Sequence, residues 1–295
     1  MKEFILFGIF VVFFLVLSFI VYSSNSANHK KPSTTTITIA GDVMLGRSVM
    51  SHSMSIKNPR YPFEKIYPKI GNADLTFVNL ENPVVKSCPF IDSGFKFCAD
   101  PKMVEGLVYA GIDIVNLANN HTYNYGRDGF EQTKEYLKKN RIDYVGDNNL
   151  VIRKVNGYSF GFLGFDFVTK EPTDKDYLLV RNSALSVDLL IVGVHWGNEY
   201  SANSTSLQKE IAKILVENGA DVIAGHHPHW VQESDHIIGK PVYYSLGNLV
   251  FDQMWSEETR KGLVVNLKFS DDKLQNEEKI PTYIKEFAQP QWVGN

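Results

Sequence analysis

Leu189-Leu190-Ile191-Val192-Gly193-Val194-His195-Trp196-Gly197 opens a unit that closes on Val222-Ile223-Ala224-Gly225-His226-His227-Pro228-His229. Each apolar run is short and rich in branched side chains, which predicts a buried strand. Between them Leu207, Ile211, Ile214 and Leu215 recur at i, i+4, i+7 and i+8, a helical stripe, and Gly219 stands where a helix stop is expected. Strand, helix and strand in this order predict an α/β fold with largely parallel pairing. Both strands run into histidine.

The same pattern recurs along the chain. Ile37-Thr38-Ile39-Ala40 runs into Gly41-Asp42, and Leu75-Thr76-Phe77-Val78 into Asn79-Leu80-Glu81-Asn82. Ile112-Asp113-Ile114-Val115 runs into Asn116-Leu117-Ala118-Asn119-Asn120-His121, and Val242-Tyr243-Tyr244-Ser245 into Leu246-Gly247-Asn248. Asp128 with Glu131 resembles a capping box, followed by a face of Phe130, Lys134 and Leu137. Gly262 to Phe269, Ile280 to Phe287 and Phe160 to Phe165 read as further strands, expected to form much of a second sheet. The tail from Ala288 carries no readable signal.

In parallel α/β sheets, ligands gather at the carboxyl ends of the strands. A turn or a helix cap explains any single Asp or Asn there. Six runs that end this way, two of them in His, point instead to a metal or catalytic centre. The donors are Asp42, Glu81, Asn120, His121, His195, His227 and His229, with no Cys among them. Mixed oxygen and imidazole donors suit a divalent ion such as Mn, Fe or Zn, in one or two copies. His227 and His229 can reach one ion or one each of a pair, while a surface turn is the plainer reading of His226-His227-Pro228-His229.

Composition limits the rest. The chain has 295 residues, 44% of them apolar, enough for a sizeable core and not the composition of a disordered chain. Lys+Arg 30 against Asp+Glu 33 leaves no basic field for nucleic acid. Phe4 to Tyr22 is uncharged and, at about 1.5 Å per residue, long enough as a helix to cross a bilayer. Residues 1–24 are expected to be a signal-anchor, although Ser24-Asn25-Ser26 leaves cleavage open. Residues 25–36 read as a flexible tether and 37–295 as the folded domain, on the outer side of the cell membrane. The two cysteines, Cys88 and Cys98, bracket a nine-residue loop; a disulfide and two buried thiols are both open. Trp196 and Trp230 follow ligand-type histidines, as pocket walls or as core.

Gly41-Asp42-Val43-Met44-Leu45-Gly46-Arg47 resembles the opening motif of the CapA (PgsA) family of poly-γ-glutamate capsule-synthesis proteins. Asn79-Leu80-Glu81-Asn82-Pro83, Asn119-Asn120-His121, His195-Trp196-Gly197-Asn198-Glu199, the His226 to Gln232 segment and Tyr244 to Gln253 resemble its later motifs, in the family's order. The family is similar in turn to calcineurin-like metallophosphoesterases. The resemblance implies an α/β fold of two β-sheets in a sandwich flanked by helices, behind an N-terminal transmembrane helix. It implies Asp42 on one metal, Glu81 as a bridging carboxylate and Asn120 on the second, with His195, His227 and His229 completing the set. His121 would be the adjacent acid or electrostatic stabiliser. Arg47 joins it in the catalytic set, and Asn119, Glu199, Asn248 and Asp252 form the substrate-binding set. Three positions depart from the phosphoesterase or family pattern: Met44 replaces a His, Glu81 a bridging Asp, and Asn124 an Asp. Two functions are therefore expected side by side. One is a membrane-anchored part in synthesis or export of the anionic polymer poly-γ-glutamate, alongside other membrane components of a capsule synthase. The other is an active metal-dependent phosphoesterase.

Overall fold

The computed structural model describes residues 34–270 and 272–294. The expected anchor, residues 1–24, and most of the tether lie outside them. Among the described residues no helix is long and apolar enough to cross a membrane.

Two sheets carry the fold. The first runs β14 (Gln289–Trp292), β13 (Lys273–Glu286), β12 (Lys261–Ser270), β1 (Thr34–Val43), β2 (Leu75–Leu80), β3 (Ile114–Asn116), β4 (Asp143–Val145), with β11 (Asn248–Val250) also paired to β1. The second runs β5 (Val151–Val155), β6 (Tyr158–Asp166), β7 (Leu189–His195), β8 (Val222–His226), β10 (Lys240–Tyr243), β9 (Ser234–Ile237). β1 to β4 are mutually parallel, as are β6, β7, β8 and β10; β12, β13 and β14 in the first sheet and β5 and β9 in the second are paired antiparallel.

The parallel strands are apolar on both faces because both faces are covered. Ile37, Ile39, Phe77 and Ile114 of the first sheet meet Phe160, Phe162, Ile191 and Ala224 of the second in the middle layer. Outside the first sheet lie α1 (Arg47–Ser55), α2 (Val104–Tyr109) and α3 (Gly126–Lys139), which bury Val49, Met50, Leu107, Phe130 and Leu137. Outside the second lie α4 (Asp174–Ala184) and α5 (Ser206–Glu217), which bury Val180, Ile211 and Leu215. The expected stripe on α5 turns inward at Ile211 and Leu215, while Leu207 is exposed. Gly219 takes a φ of +105° after the helix, the left-handed backbone that suits glycine at a helix stop.

Four expectations are corrected. The strands Gly262 to Phe269 and Ile280 to Phe287 do not join Phe160 to Phe165 in a second sheet. β12 pairs antiparallel with β1, from Thr34 opposite Ser270 to Ile39 opposite Val265, and β13 folds back on β12. Alternation marks a strand and its faces but not its partner. Second, β1 begins at Thr34, so the last three residues assigned to the tether are already paired with β12. Third, Asp128 does not cap a helix: α3 begins at Gly126 after Tyr125, and Glu131 instead meets Arg127 and Lys134. Fourth, the unread tail supplies β14.

Phe162 is fully buried, with its ring 5.5 Å from that of Phe77 across the two sheets. Phe162→Ala should cost about 3–5 kcal/mol in urea unfolding, and Ile152→Ala, on an exposed side chain of β5, about 0.5 kcal/mol. Equal midpoints for the two variants would mean that the middle layer does not hold the sheets together.

Candidate metal centre

The register of the parallel strands builds the site. Asp42 lies opposite Asn79, Asn79 opposite Asn116, and His195 opposite His226. The carboxyl ends of β1, β2, β3, β7 and β8 therefore meet at one rim. Gly41 lets β1 come this close to the loop before β11, since a Cβ there would lie 2.0 Å from the carbonyl oxygen of Gly247. The next amide, Asp42 N–H, donates to that same oxygen at 2.9 Å.

Asp42 is wholly buried and fully served. Its Oδ1 accepts from Asn79 Nδ2 at 2.9 Å and faces His226 Nδ1 at 3.1 Å. Its Oδ2 accepts from the backbone N–H of His227 at 3.3 Å and faces His229 Nδ1 at 3.3 Å. Burial would raise its pKa, but the imidazoles of His226 and His229 hold the carboxyl well below the usual range.

Glu81 is the opposite case. It too is wholly buried, yet neither carboxylate oxygen makes a hydrogen bond to a described residue. His195 Nε2 stands 3.3 Å from Oε1 and His229 Nε2 3.9 Å from Oε2, without hydrogen-bond geometry. Burial, with Asp42 and Glu199 adding negative charge, pushes the Glu81 carboxyl well above its ordinary range. Ligand atoms of Asp42, Glu81 and His195 all lie within 4.8 Å of one another.

The histidines divide by environment. Burial keeps His195 well below its usual value and brings His227 and His121 down to about 4. For His229 burial works the same way, but Glu81 and Asp42 outweigh it and push the ring up to about 9. Asn248 Oδ1, 3.0 Å from His229 Nδ1, fixes that ring so that Nε2 faces Glu81. His195 Nε2 also lies 3.1 Å from Asn120 Oδ1. The His195 and His227 rings are 4.8 Å apart, and His227 Nδ1 has no hydrogen-bond partner among the described residues. His227 and His229 adopt φ values of +95° and +58°, a left-handed backbone that costs about 1–3 kcal/mol per residue without glycine.

The structure thus gathers Asp42, Glu81, Asn120, His195, His227 and His229. His121 sits at the edge, stacked on Phe97 at 3.9 Å and beside Asn124. Arg47 is paired with Asp252, donates to Gly94 O at 2.8 Å and lies 4.4 Å over Phe97. Glu199 is exposed near the rim. Asn119 and Asn248, expected to touch substrate, are spent internally. Asn119 Nδ2 donates to Leu80 O at 2.9 Å, and Asn248 Nδ2 to Thr259 O at 2.9 Å and Gln253 Oε1 at 3.0 Å. Met44 lies in the core, where its Sδ accepts from Gly46 N–H. Trp196 is buried, with its Nε1–H donating to Tyr244 O. Cys88 and Cys98 form a disulfide that closes the loop carrying Gly94 and Phe97.

Two contributors were missed from the sequence, His226 and Asn79. Both sit at the last residues of parallel strands beside a chosen ligand, so the strand register was the signal that would have found them.

The donor set fits one or two divalent ions. Two orphaned carboxylate oxygens, a neutral His195 and a neutral His227 around an ionised Asp42 form a cluster whose unmet demand is for positive charge. At neutral pH a cation must displace the proton held on His229 and the one that Glu81 tends to hold. Affinity for Mn2+ should therefore rise with pH, by roughly tenfold per unit for each displaced proton, and the His229 contribution should level off above about 9. Calorimetry in buffers of different ionisation heat should show proton release at pH 7; a pH-independent affinity would contradict the assignment.

The family described as bacterial capsule synthesis protein PGA_cap matches residues 36–253. The capsule biosynthesis protein CapA of Bacillus anthracis is 32% identical over 287 residues, covering 88% of this chain and 69% of that protein. The PGA biosynthesis protein CapA of Bacillus subtilis (strain 168) is 30% identical over 248 residues, covering 76% of this chain and 65% of that protein. The chain thus spans about two thirds of the length of each of these relatives. A hypothetical protein from Thermus thermophilus shares the fold, with a TM-score of 0.55 at 15% identity over 83% of this chain and 98% of that one. With 36–253 matched by one family and two relatives at 30% identity or more, the chain belongs to the bacterial capsule synthesis protein PGA_cap family.

Proposed function

We propose that this protein takes part in poly-γ-glutamate synthesis or export, as a membrane-anchored domain outside the cell whose divalent-metal centre engages the polymer. The observation that carries the reading is Glu81, a buried carboxylate with neither oxygen hydrogen-bonded to a described residue, amid Asp42, His195 and His229. Family membership supplies the capsule context. The apolar run Phe4 to Tyr22 supports the anchor, and the Cys88–Cys98 disulfide supports an oxidising compartment.

In this reading Asp42, Glu81, Asn120, His195, His227 and His229 hold one or two ions. When bound, such ions supply Lewis acidity toward a carboxylate, carbonyl or phosphoryl oxygen and activate water. The chain's own residues supply the rest. His121, held neutral near pH 7 by burial, keeps a lone pair for a proton at the edge of the centre. Arg47, paired with Asp252 and lying over Phe97, orders the rim and holds the loop of Gly94 beside it. Asn248 and Asn119 orient, the first by holding the His229 ring and the second by clamping the loop of Asn120 to β2.

A second reading, a metal-dependent hydrolase of the calcineurin-like phosphoesterase type, draws on the same carboxylate–imidazole cluster at the strand ends of a two-sheet sandwich. Met44, buried and turned to Gly46, leaves one position of that type without a ligand.

The full chain in detergent should carry about one or two Mn, Fe or Zn ions by elemental analysis and bind poly-γ-glutamate in a chelator-sensitive way. Glu81→Gln should weaken metal binding by about tenfold or more and polymer binding with it. Turnover of a generic phosphodiester would favour the hydrolase. Polymer binding that survives both the chelator and Glu81→Gln would overturn the metal-centred reading.

A further inference from the structure

Two cavities flank the centre on opposite sides of β2. One, about 320 Å3, opens where β3, β4 and β6 end, and its lining includes Asn120, Tyr123, Asn148, Asp166, Thr169 and Lys170. The other, about 430 Å3, lies beyond the ends of β1 and β11, and its lining includes Arg47, Ser93, Phe95, Tyr200, Gln253 and Trp255. The strand order places β2, with Glu81 at its end, between β1 on one side and β3 and β4 on the other.

Each cavity reaches the centre through one or two side chains. On the first side Asn120 is shared between the cavity wall and the 3.1 Å contact with His195. On the second, Tyr200 stands 6.0 Å ring to ring from His229, and Gln253 bonds the Asn248 that holds His229. The two cavities thus approach the centre from different sides.

The walls are not those of an electrostatic track. Lys170 is paired with Asp176 at 3.0 Å and opposed by Asp166 in the same cavity. Arg47 is paired with Asp252, and Asp92 adds a second acid on that side. What the walls offer are exposed polar groups and aromatic faces. Asn148 in the first cavity and Ser93 in the second are exposed, and each carries a donor and an acceptor, the complement of a peptide unit. Tyr123, Phe95 and Trp255 are 54%, 75% and 62% exposed, too open to be core, and can cover methylene groups.

We infer that the two cavities are the arms of one open-ended groove that takes the middle of a linear polyamide, with the metal centre at its midpoint. The polymer lies by its amides and methylenes along the walls, its pendant carboxylates turned to solvent or to the centre. It is engaged internally rather than by an end. The inference rests on the polymer reading above and adds the mode of engagement.

Oligo-γ-glutamates of increasing length, with both ends free or both ends capped, test it by fluorescence anisotropy on the Mn2+-loaded full chain. Affinity should rise about tenfold or more with length until an oligomer reaches both arms, then level off, and capping should change it by less than about twofold. Thr169→Trp in one arm and Ser93→Trp in the other replace exposed side chains, so the fold should tolerate them. Each should weaken the long oligomers about fivefold while leaving the shortest ones nearly unaffected. Mn2+ binding in the same samples reports whether the centre is intact. Loss of binding on capping, or weakening by only one of the two Trp variants while the other leaves every length unaffected, would overturn the groove while the polymer reading stands. Failure of every length to bind the Mn2+-loaded protein would overturn the polymer reading and the groove with it.

Discussion

A buried carboxylate with no hydrogen bond is expensive, by several kcal/mol if it stays charged, and among the described residues Glu81 is such a group, at the meeting point of two sheets. Asp42, a few ångströms away, has four donors around it. The contrast identifies what each is for. Asp42 is locked in place by the protein, whereas Glu81 is left open to something that the protein does not supply. Without a cation the site adjusts by protonation, as Glu81 tends to the neutral acid and His229 keeps its proton. The surrounding architecture follows from delivering these groups together: parallel strands in register, a glycine at residue 41 where strand and loop nearly touch, and two histidines in left-handed backbone.

The peripheral elements extend this logic. The disulfide between Cys88 and Cys98 closes a loop whose Phe97 lies between His121 and Arg47, so one covalent link sets both rim residues at once. Arg47 is further fixed by Asp252, which follows β11, and β11 pairs with the strand that carries Asp42. The rim is thereby tied to the centre through the sheet. Neutral His121 and His227 keep a lone pair open at the edge of the centre, while Glu81 and His229 hold the protons that a cation would displace.

Much of this was legible in the sequence, and for a physical reason. A strand buried on both faces must be apolar, so a polar residue at its carboxyl end stands out, and five such ends pointed to Asp42, Glu81, Asn120, His195, His227 and His229. The strand–helix–strand unit from Leu189 to His229 was legible from its two periodicities. What could not be read was anything decided by pairing between distant segments. β12 and β13 alternate as strands do in either sheet, and only the long match of β12 to β1 places them in the first. His226 and Asn79 look like neighbours of ligands until the register puts their side chains on Asp42. Asn119 and Asn248 carry the residue type of a substrate contact, but burial commits their amides to the backbone.

The central claim is that the open carboxylate of Glu81 exists to bind a cation held jointly with Asp42 and His195. Anomalous diffraction at the manganese edge, from crystals of the protein grown with Mn2+, tests it directly. The account predicts a peak within about 2.0–2.3 Å of a Glu81 oxygen and of at least one of Asp42 or His195. An ion bound elsewhere, with Glu81 hydrogen-bonded to protein or water and no peak beside it, would contradict the account.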